Sequence, residues 1–509
     1  FDLNRSYTAF PDFYYYIFNG DKMVSTGVEG IDFNLDLNSA ANYRTPYHYS
    51  DLWLLGFFSI TNYARIPLIH IYLFVFTPIV LVISSLSLYS IYSFFRKEKK
   101  WWDFLLGFFL VFYIFPFQSA WFSSQNIITM PKLYAPLIVL CISFGYFLRK
   151  EKMKALTVLF ILPILNVIAL PVLLFFCILL ICYWVYRKDY VSAKFVSLLS
   201  LFYIIFFGGF YKVFGIAGKK MDLNDLNPEL YIKSFFKACF KGTFQMFFML
   251  STCFLILFIY RKQILPLLRK HSFAFAVLIA LIISSYLSSF ILWFNFDAFQ
   301  IRNFPGTMVS VILFIAFVAI VLNNLKTEMI SSKIVLFTVV SFFIFSMWNS
   351  LQVMRTAADG FVSKSFVNKI NENIKNNDRF GYIYNTTKEK VSPWVYTHNL
   401  LLYNLHFTGL TNKKLNRVSL NTIINDVDID KQKLVKRSFI KQSEFKKFVD
   451  SLQLKKMTLE DYQIEFCLSR KLNFLVLEKQ AQVSLKFNPY IRNEIVDSLS
   501  GNKVIFLKY

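Results

Sequence analysis

The chain has 509 residues, of which 56% are hydrophobic and only 17% charged, with a mean hydropathy of +0.47. A soluble protein of this size carries more charge, so the composition excludes an ordinary globular enzyme and points to lipid. The net charge of +24 does not point to nucleic acid, because no basic-aromatic binding module accompanies it.

The first 66 residues are polar and aromatic, without a span-length apolar run. They hold two segments rich in reactive types. In Phe10-Pro11-Asp12-Phe13-Tyr14-Tyr15-Tyr16, with Asp21 following, a carboxylate stands beside aromatics. Such a carboxylate can take a proton from a hydroxyl or hold a divalent cation, Mg or Mn. Asp12 also suits a helix cap, so both roles stand. In Asn42-Tyr43-Arg44-Thr45-Pro46-Tyr47-His48-Tyr49-Ser50-Asp51, His48 and Asp51 have the i, i+3 spacing of one helix face. Tyr47 and Tyr49 can stack on a sugar or form an interfacial aromatic belt.

From Pro67 to Trp348 apolar stretches alternate with basic clusters, among them Arg96–Lys100, Arg149–Lys154, Arg187-Lys188, and Arg261-Lys262 with Arg269-Lys270. A bilayer core needs roughly 20 apolar residues per helix, and short Lys/Arg-rich loops stay cytoplasmic. The expected spans are Pro67–Phe95, Phe104–Phe117, Leu133–Leu148, two passes within Ala155–Tyr186 broken near Pro163, Asn166 and Pro171, Phe195–Phe214, Phe244–Tyr260, Phe273–Phe294, Thr307–Val321 and Ile334–Trp348. That is about ten, and an absent helix before Phe1 would make about eleven. The loops Gln118–Lys132 and Gly215–Gly242 fall on the outer face, the latter holding an amphipathic stretch, Glu229–Phe240, and the lysines Lys219 and Lys220. Another expected outer loop, Asn295–Gly306, carries Arg302, whose planar fork suits a phosphate and which can equally pair with Asp297 or snorkel to headgroups.

Beyond Arg355 charges become frequent. Phe380–Tyr384, Leu472–Glu478 and Lys503–Leu507 read as strands, and Ser443–Leu452 and Pro489–Leu499 as amphipathic helices. The strand–helix–strand order at the end favours a parallel pair. The expected fold is therefore an α-helical polytopic membrane protein with a C-terminal extracytoplasmic α/β domain, divided as 1–66 (first extracytoplasmic loop), 67–349 (transmembrane helices) and 350–509 (α/β domain). The six cysteines show no zinc-ligand or disulfide pattern. No P-loop, HExxH or GxSxG occurs, and the spans hold almost no charge, which weighs against a pump or carrier.

An early Asp in a long outer loop, trailing aromatics, the Thr45-Pro46-Tyr47-His48-Tyr49 segment and many spans leading to an outer α/β domain resemble the GT-C clan of membrane glycosyltransferases, among them bacterial lipid A and protein O-glycosyl transferases. The adjacent acidic pair common in that clan is absent, since Asp12 stands alone between Pro11 and Phe13. The resemblance implies a bacterial inner-membrane enzyme that takes sugar from a polyprenyl-phosphate-linked donor and passes it, on the periplasmic face, to a glycan, lipid or protein acceptor. It implies Asp12 as base, with Asp21, His48 and Asp51 as further candidates. Arg302, Lys219 and Lys220 would meet the donor phosphate, and Tyr15, Tyr47 and Tyr49 the sugar or acceptor. Membrane lipids are the other expected partner. Two alternatives are a non-enzymatic membrane scaffold or assembly subunit, and a lipid or polysaccharide translocase.

Overall fold

A computed structural model describes residues 5–6, 20, 23, 50–61, 71, 75–96, 134–210, 253–292, 298–324, 362–376, 378–384, 422–424, 445, 448, 451–452, 457–477, 482–499 and 501–508. In chain order the elements used below are β1 (Arg5–Ser6), α1 (Ser50–Thr61), α2 (Thr77–Phe95), α3 (Tyr134–Leu148), α4 (Lys152–Leu159), α5 (Leu162–Leu165), α6 (Ala169–Tyr186), α7 (Tyr190–Ile205), α8 (Arg261–Lys270), α9 (Ser272–Ile291), α10 (Ala298–Asn324), β2 (Val362–Ser363), α11 (Lys364–Asn373), β3 (Phe380–Tyr384), β4 (Thr422–Ile424), α12 (Leu459–Arg470), β5 (Phe474–Leu477), β6 (Ile491–Val496) and β7 (Lys503–Leu507). They fall into two compact units. One comprises Arg44–Asp51 and Phe74–Met354, the other Phe1–Tyr43, Leu52–Leu73 and Arg355–Tyr509.

The first unit is helical. Among the described residues four helices are long and apolar enough to cross a membrane: Thr77–Phe95, Ala169–Tyr186, Tyr190–Gly209 and Ser272–Ile291. Two shorter apolar helices, Tyr134–Leu148 and Met308–Ile320, accompany them. The expected spans Phe104–Phe117 and Ile334–Trp348, and the stretch Glu229–Phe240, lie outside the described residues. Of Phe244–Tyr260 only 253–260 is described, helical over 253–259.

The run Ala155–Tyr186 breaks where the sequence places its Pro and Asn residues. Asn166 is extended (φ −150°, ψ 106°), and its Oδ1 accepts from Ile168 N at 3.1 Å, closing the corner that opens α6. Lys152, before the break, and Trp184, after it, both lie on the ring of Phe273, at 5.1 and 6.1 Å. The chain therefore leaves this end and returns to it. α7 begins at Tyr190, five residues before the expected Phe195, because Asp189 caps it by accepting from Ser192 N at 3.2 Å.

α10 is the interior helix, packed on α2, α3, α6 and α9. Val309, Val311, Ile312, Ile315 and Ala316 are all fully buried, so it is covered on every side, as a helix apolar all round must be. It runs from Ala298 to Asn324. This corrects two expectations: the span is not confined to Thr307–Val321, and Arg302 stands inside a helix and not in a loop. Pro305 is the eighth residue of α10, beyond the first turn where proline is best tolerated, so it removes one backbone donor to the preceding turn without ending the helix. Small residues line the neighbouring helices, with Ser84, Ser85, Ser284, Ser285 and Ser288 fully buried. Ser85 and Ser285 hydroxyls return to their own helices, donating to Leu81 O and Leu281 O at 2.7 and 2.8 Å. Small side chains let helix backbones approach closely in lipid.

The other unit carries a five-stranded sheet in the order β4-β3-β5-β7-β6. β3 is parallel to β4 and β5, whereas β5–β7 and β7–β6 are antiparallel. Every residue of β5 is buried, the mark of a strand covered on both faces. The rings of Phe380, Phe474 and Phe506 sit side by side across β3, β5 and β7, with centroids 5.1 and 5.7 Å apart. α12 covers the sheet with Tyr462, Phe466 and Cys467, and Phe445 and Phe448, from the stretch read as helix Ser443–Leu452, meet Phe466 edge-on.

Phe380–Tyr384 and Lys503–Leu507 are strands with the expected bounds, and Leu472–Glu478 holds β5. Pro489–Leu499 is not a helix. Its first two residues end a 3-10 turn, Leu485–Tyr490, and Ile491–Val496 is β6. Ile491 and Ile495 are four apart, and that spacing lies on one face of a helix and equally on one face of a strand. The turn 497–502 decides for the strand: Asp497 N donates to Asn502 O at 2.8 Å, and Gly501 takes φ 74°. With β6 extended, no crossover helix remains, so β5 and β7 are antiparallel and not the expected parallel pair.

Candidate functional site

Asp12, Tyr15, Asp21, Tyr47, His48, Tyr49, Lys219 and Lys220 lie outside the described residues. Asp51 stands in the first turn of α1, and Arg302 in the second turn of α10; for both, the backbone position is what the structure gives.

One contact links the two polar segments of the first 66 residues. Gly20, between Asn19 and Asp21, is buried against α1. A β-carbon added there would come within 3.0 Å of Leu55 Cβ and 3.5 Å of Leu52 O. Glycine is thus the residue that lets the chain next to Asp21 approach the helix that begins at Ser50 and carries Asp51.

A second link joins the start of the chain to the region of the sheet. Arg5 and Ser6 pair antiparallel with Ser363 and Val362. Ser363 N donates to both carboxylate oxygens of Asp497 at 3.2 and 3.3 Å, and Ser363 Oγ caps α11 by accepting from Phe366 N at 3.1 Å. Asp497 is only 1% exposed. A buried carboxylate needs such donors, and it receives another from Leu499 N at 3.2 Å. Sequence reading missed Asp497 because it stood inside an assumed helix; the signal was Asp-Ser-Leu-Ser-Gly-Asn, a turn composition.

The third feature is a polarity along the helical unit. The ends of α2, α3, α6 and α10 and the start of α9 meet. Arg96 Nη1 donates to Asn323 Oδ1 at 3.2 Å, and Asn323 Nδ2 donates to Phe95 O. His271 lies edge-on to Phe94 and Phe95, and Phe273 meets Phe147 at 5.7 Å. The basic clusters around Arg96, Arg149, Arg187 and Lys270 therefore gather at one end. Arg302 is 21 residues before Asn323 on the same helix. At 1.5 Å per residue this is about 32 Å, roughly one hydrocarbon core away from the basic end.

Among the described residues no group of three or more His, Cys, Asp or Glu side chains is placed to hold a metal ion. In comparisons with protein-family models and with curated proteins, none matched this chain.

Proposed function

We propose that this protein is a membrane glycosyltransferase that takes a sugar from a polyprenyl-phosphate-linked donor and passes it to an acceptor hydroxyl at the membrane end opposite the basic clusters. The observation that supports this reading is the close approach of Gly20, the residue before Asp21, to Leu52 and Leu55 of α1, the helix whose first turn holds Asp51. The spacing of Arg302 from Asn323 supports it too, since a phosphate-binding guanidinium belongs where a lipid-phosphate headgroup lies.

In this reading the acceptor oxygen attacks the anomeric carbon and the bond from that carbon to the phosphate oxygen breaks. The acceptor proton passes to Asp12. The electron pair leaves on the polyprenyl phosphate, whose charge Arg302, Lys219 and Lys220 meet. Tyr15, Tyr47 and Tyr49 hold sugar or acceptor, and Asp21, His48 and Asp51 are the further acid–base candidates. The surroundings are those of a bacterial inner membrane, with the sheet-bearing unit extracytoplasmic.

The test is transfer of labelled sugar from polyprenyl-phosphate donors by the purified full chain. Asp12→Asn keeps size and capping ability but accepts no proton, so turnover falls roughly 10²-fold or more with donor affinity kept. Arg302→Lys weakens donor binding and Arg302→Ala weakens it further. Transfer that survives Asp12→Asn but not Asp21→Asn would move the base to Asp21. Absence of transfer with every donor, alongside retained partner binding, would leave the scaffold; donor crossing vesicles without transfer would leave the translocase.

A further inference from the structure

Between the helical stretch 253–259 and α9 lies a ten-residue helix, Arg261–Lys270, set between corners at Tyr260 and His271. Its sequence has cations at both ends and an apolar middle, with no acidic residue. Arg261, Leu265 and Arg269 form one i, i+4, i+8 row, and Lys262, Pro266 and Lys270 form the next. All six are exposed, while Ile264 on the other side is fully buried. The helix is thus pinned by one face and presents two parallel cation–apolar–cation rows. Cations within a row are about 12 Å apart along the axis. His271, buried against Phe94 and Phe95, fixes the corner at the basic end.

We propose that the helix Arg261–Lys270 is a binding surface for anionic phospholipid headgroups. The observations favour lipid over a soluble anion. A soluble anion needs cations alone, whereas here an exposed leucine and proline stand between the cations of each row. Those apolar groups gain by entering the glycerol and acyl boundary while the cations stay with the phosphates. Each cation near such a surface adds to the attraction, and four act together here. The inference is independent of the sugar-transfer reading, since it concerns the other end of the helical unit.

The experiment is native mass spectrometry of the purified full chain, counting retained phosphatidylglycerol against phosphatidylcholine. Wild type is expected to prefer phosphatidylglycerol. The variant R261Q/K262Q/R269Q/K270Q is expected to lose affinity for it about tenfold or more. R261K/R269K keeps the charges and is expected to retain it, which separates lost charge from a helix that fails to form. The comparison variant R149Q/K150Q/R187Q/K188Q removes equal charge from the same end and is expected to lose less. Equal losses in the two glutamine variants, no preference for phosphatidylglycerol in wild type, or full displacement by millimolar inorganic phosphate would each overturn the proposal.

Discussion

The guanidinium of Arg96, at the end of one apolar helix, donates to the side-chain oxygen of Asn323, near the end of the interior helix, at 3.2 Å. Arg96 opens a basic cluster, and Asn323 precedes Lys326. The bond therefore joins the ends of two apolar helices beside basic stretches of the sequence. Short basic loops stay on the cytoplasmic side. Cysteine at Lys188, in the exposed turn between α6 and α7, is expected to resist an impermeant thiol reagent applied to intact cells and to react once the membrane is opened. Cysteine at Thr386 is expected to react from outside. Labelling of Lys188→Cys in intact cells would invert the orientation.

Gly20 is a packing requirement and not a flexible link. Gly20→Ala places a β-carbon 3.0 Å from Leu55 Cβ, tight enough that a neighbour must move. The expected cost is about 1 kcal/mol, and Gly20→Val, with more bulk at the same point, approaches about 3 kcal/mol. Thermal unfolding of the full chain measures both. Equal midpoints for wild type and Gly20→Val would show that the segment does not pack on α1.

Among the described residues three helices end in the same device. Lys150, Lys188 and Lys471 each follow an Arg and take φ of 65°, 59° and 49°. In each, the next residue's N–H reaches back five residues: Glu151 to Tyr146 O at 3.0 Å, Asp189 to Trp184 O at 2.9 Å, Leu472 to Cys467 O at 3.0 Å. This is the Schellman termination, usually built on glycine. A lysine there carries left-handed strain, so Lys471→Gly is expected to stabilise by about 0.5–1 kcal/mol despite the freer unfolded chain. Chemical denaturation checks the sign, and a clear loss would mean that the lysine side chain makes a contact that outweighs the strain.

Asp461 gives the sheet-bearing unit an acid limit. Its Oδ1 accepts from Lys486 Nζ at 2.8 Å, and its Oδ2 from Thr458 Oγ1 at 2.6 Å and Thr458 N at 3.1 Å. The Lys486 bond first, then those from Thr458, hold its carboxyl down at about 2, below the ordinary 3.8. The folded value is the lower one, so the stabilisation is full above pH 3.8 and fades as pH falls from there towards about 2. Asp461→Asn is expected to remove that share of the acid dependence, read as a flatter plot of unfolding midpoint against pH between those limits. An unchanged plot would assign the acid limit to other carboxylates.

Among the described residues, the four membrane-length helices and the grouping of their basic turns at one end were legible in the sequence. Both follow from local quantities, the length of an apolar run and the charge of a short loop, and the break at Asn166 followed from residues that cannot continue a helix. Strands rich in β-branched and aromatic residues, such as Phe380–Tyr384, were legible for the same reason. The fold decided what a segment alone leaves open. Ile491 and Ile495 fit a helix or a strand alone, and the turn 497–502, which returns the chain as β7 beside β6, chose the strand. Arg302 and Pro305 read as a loop from local signals, whereas the structure carries α10 through both, from Ala298. Gly20 and Asp497 carried no periodic signal at all. Their roles exist only where Leu55 comes within 3.0 Å of a missing β-carbon and where Ser363 N meets a carboxylate 134 residues along the chain.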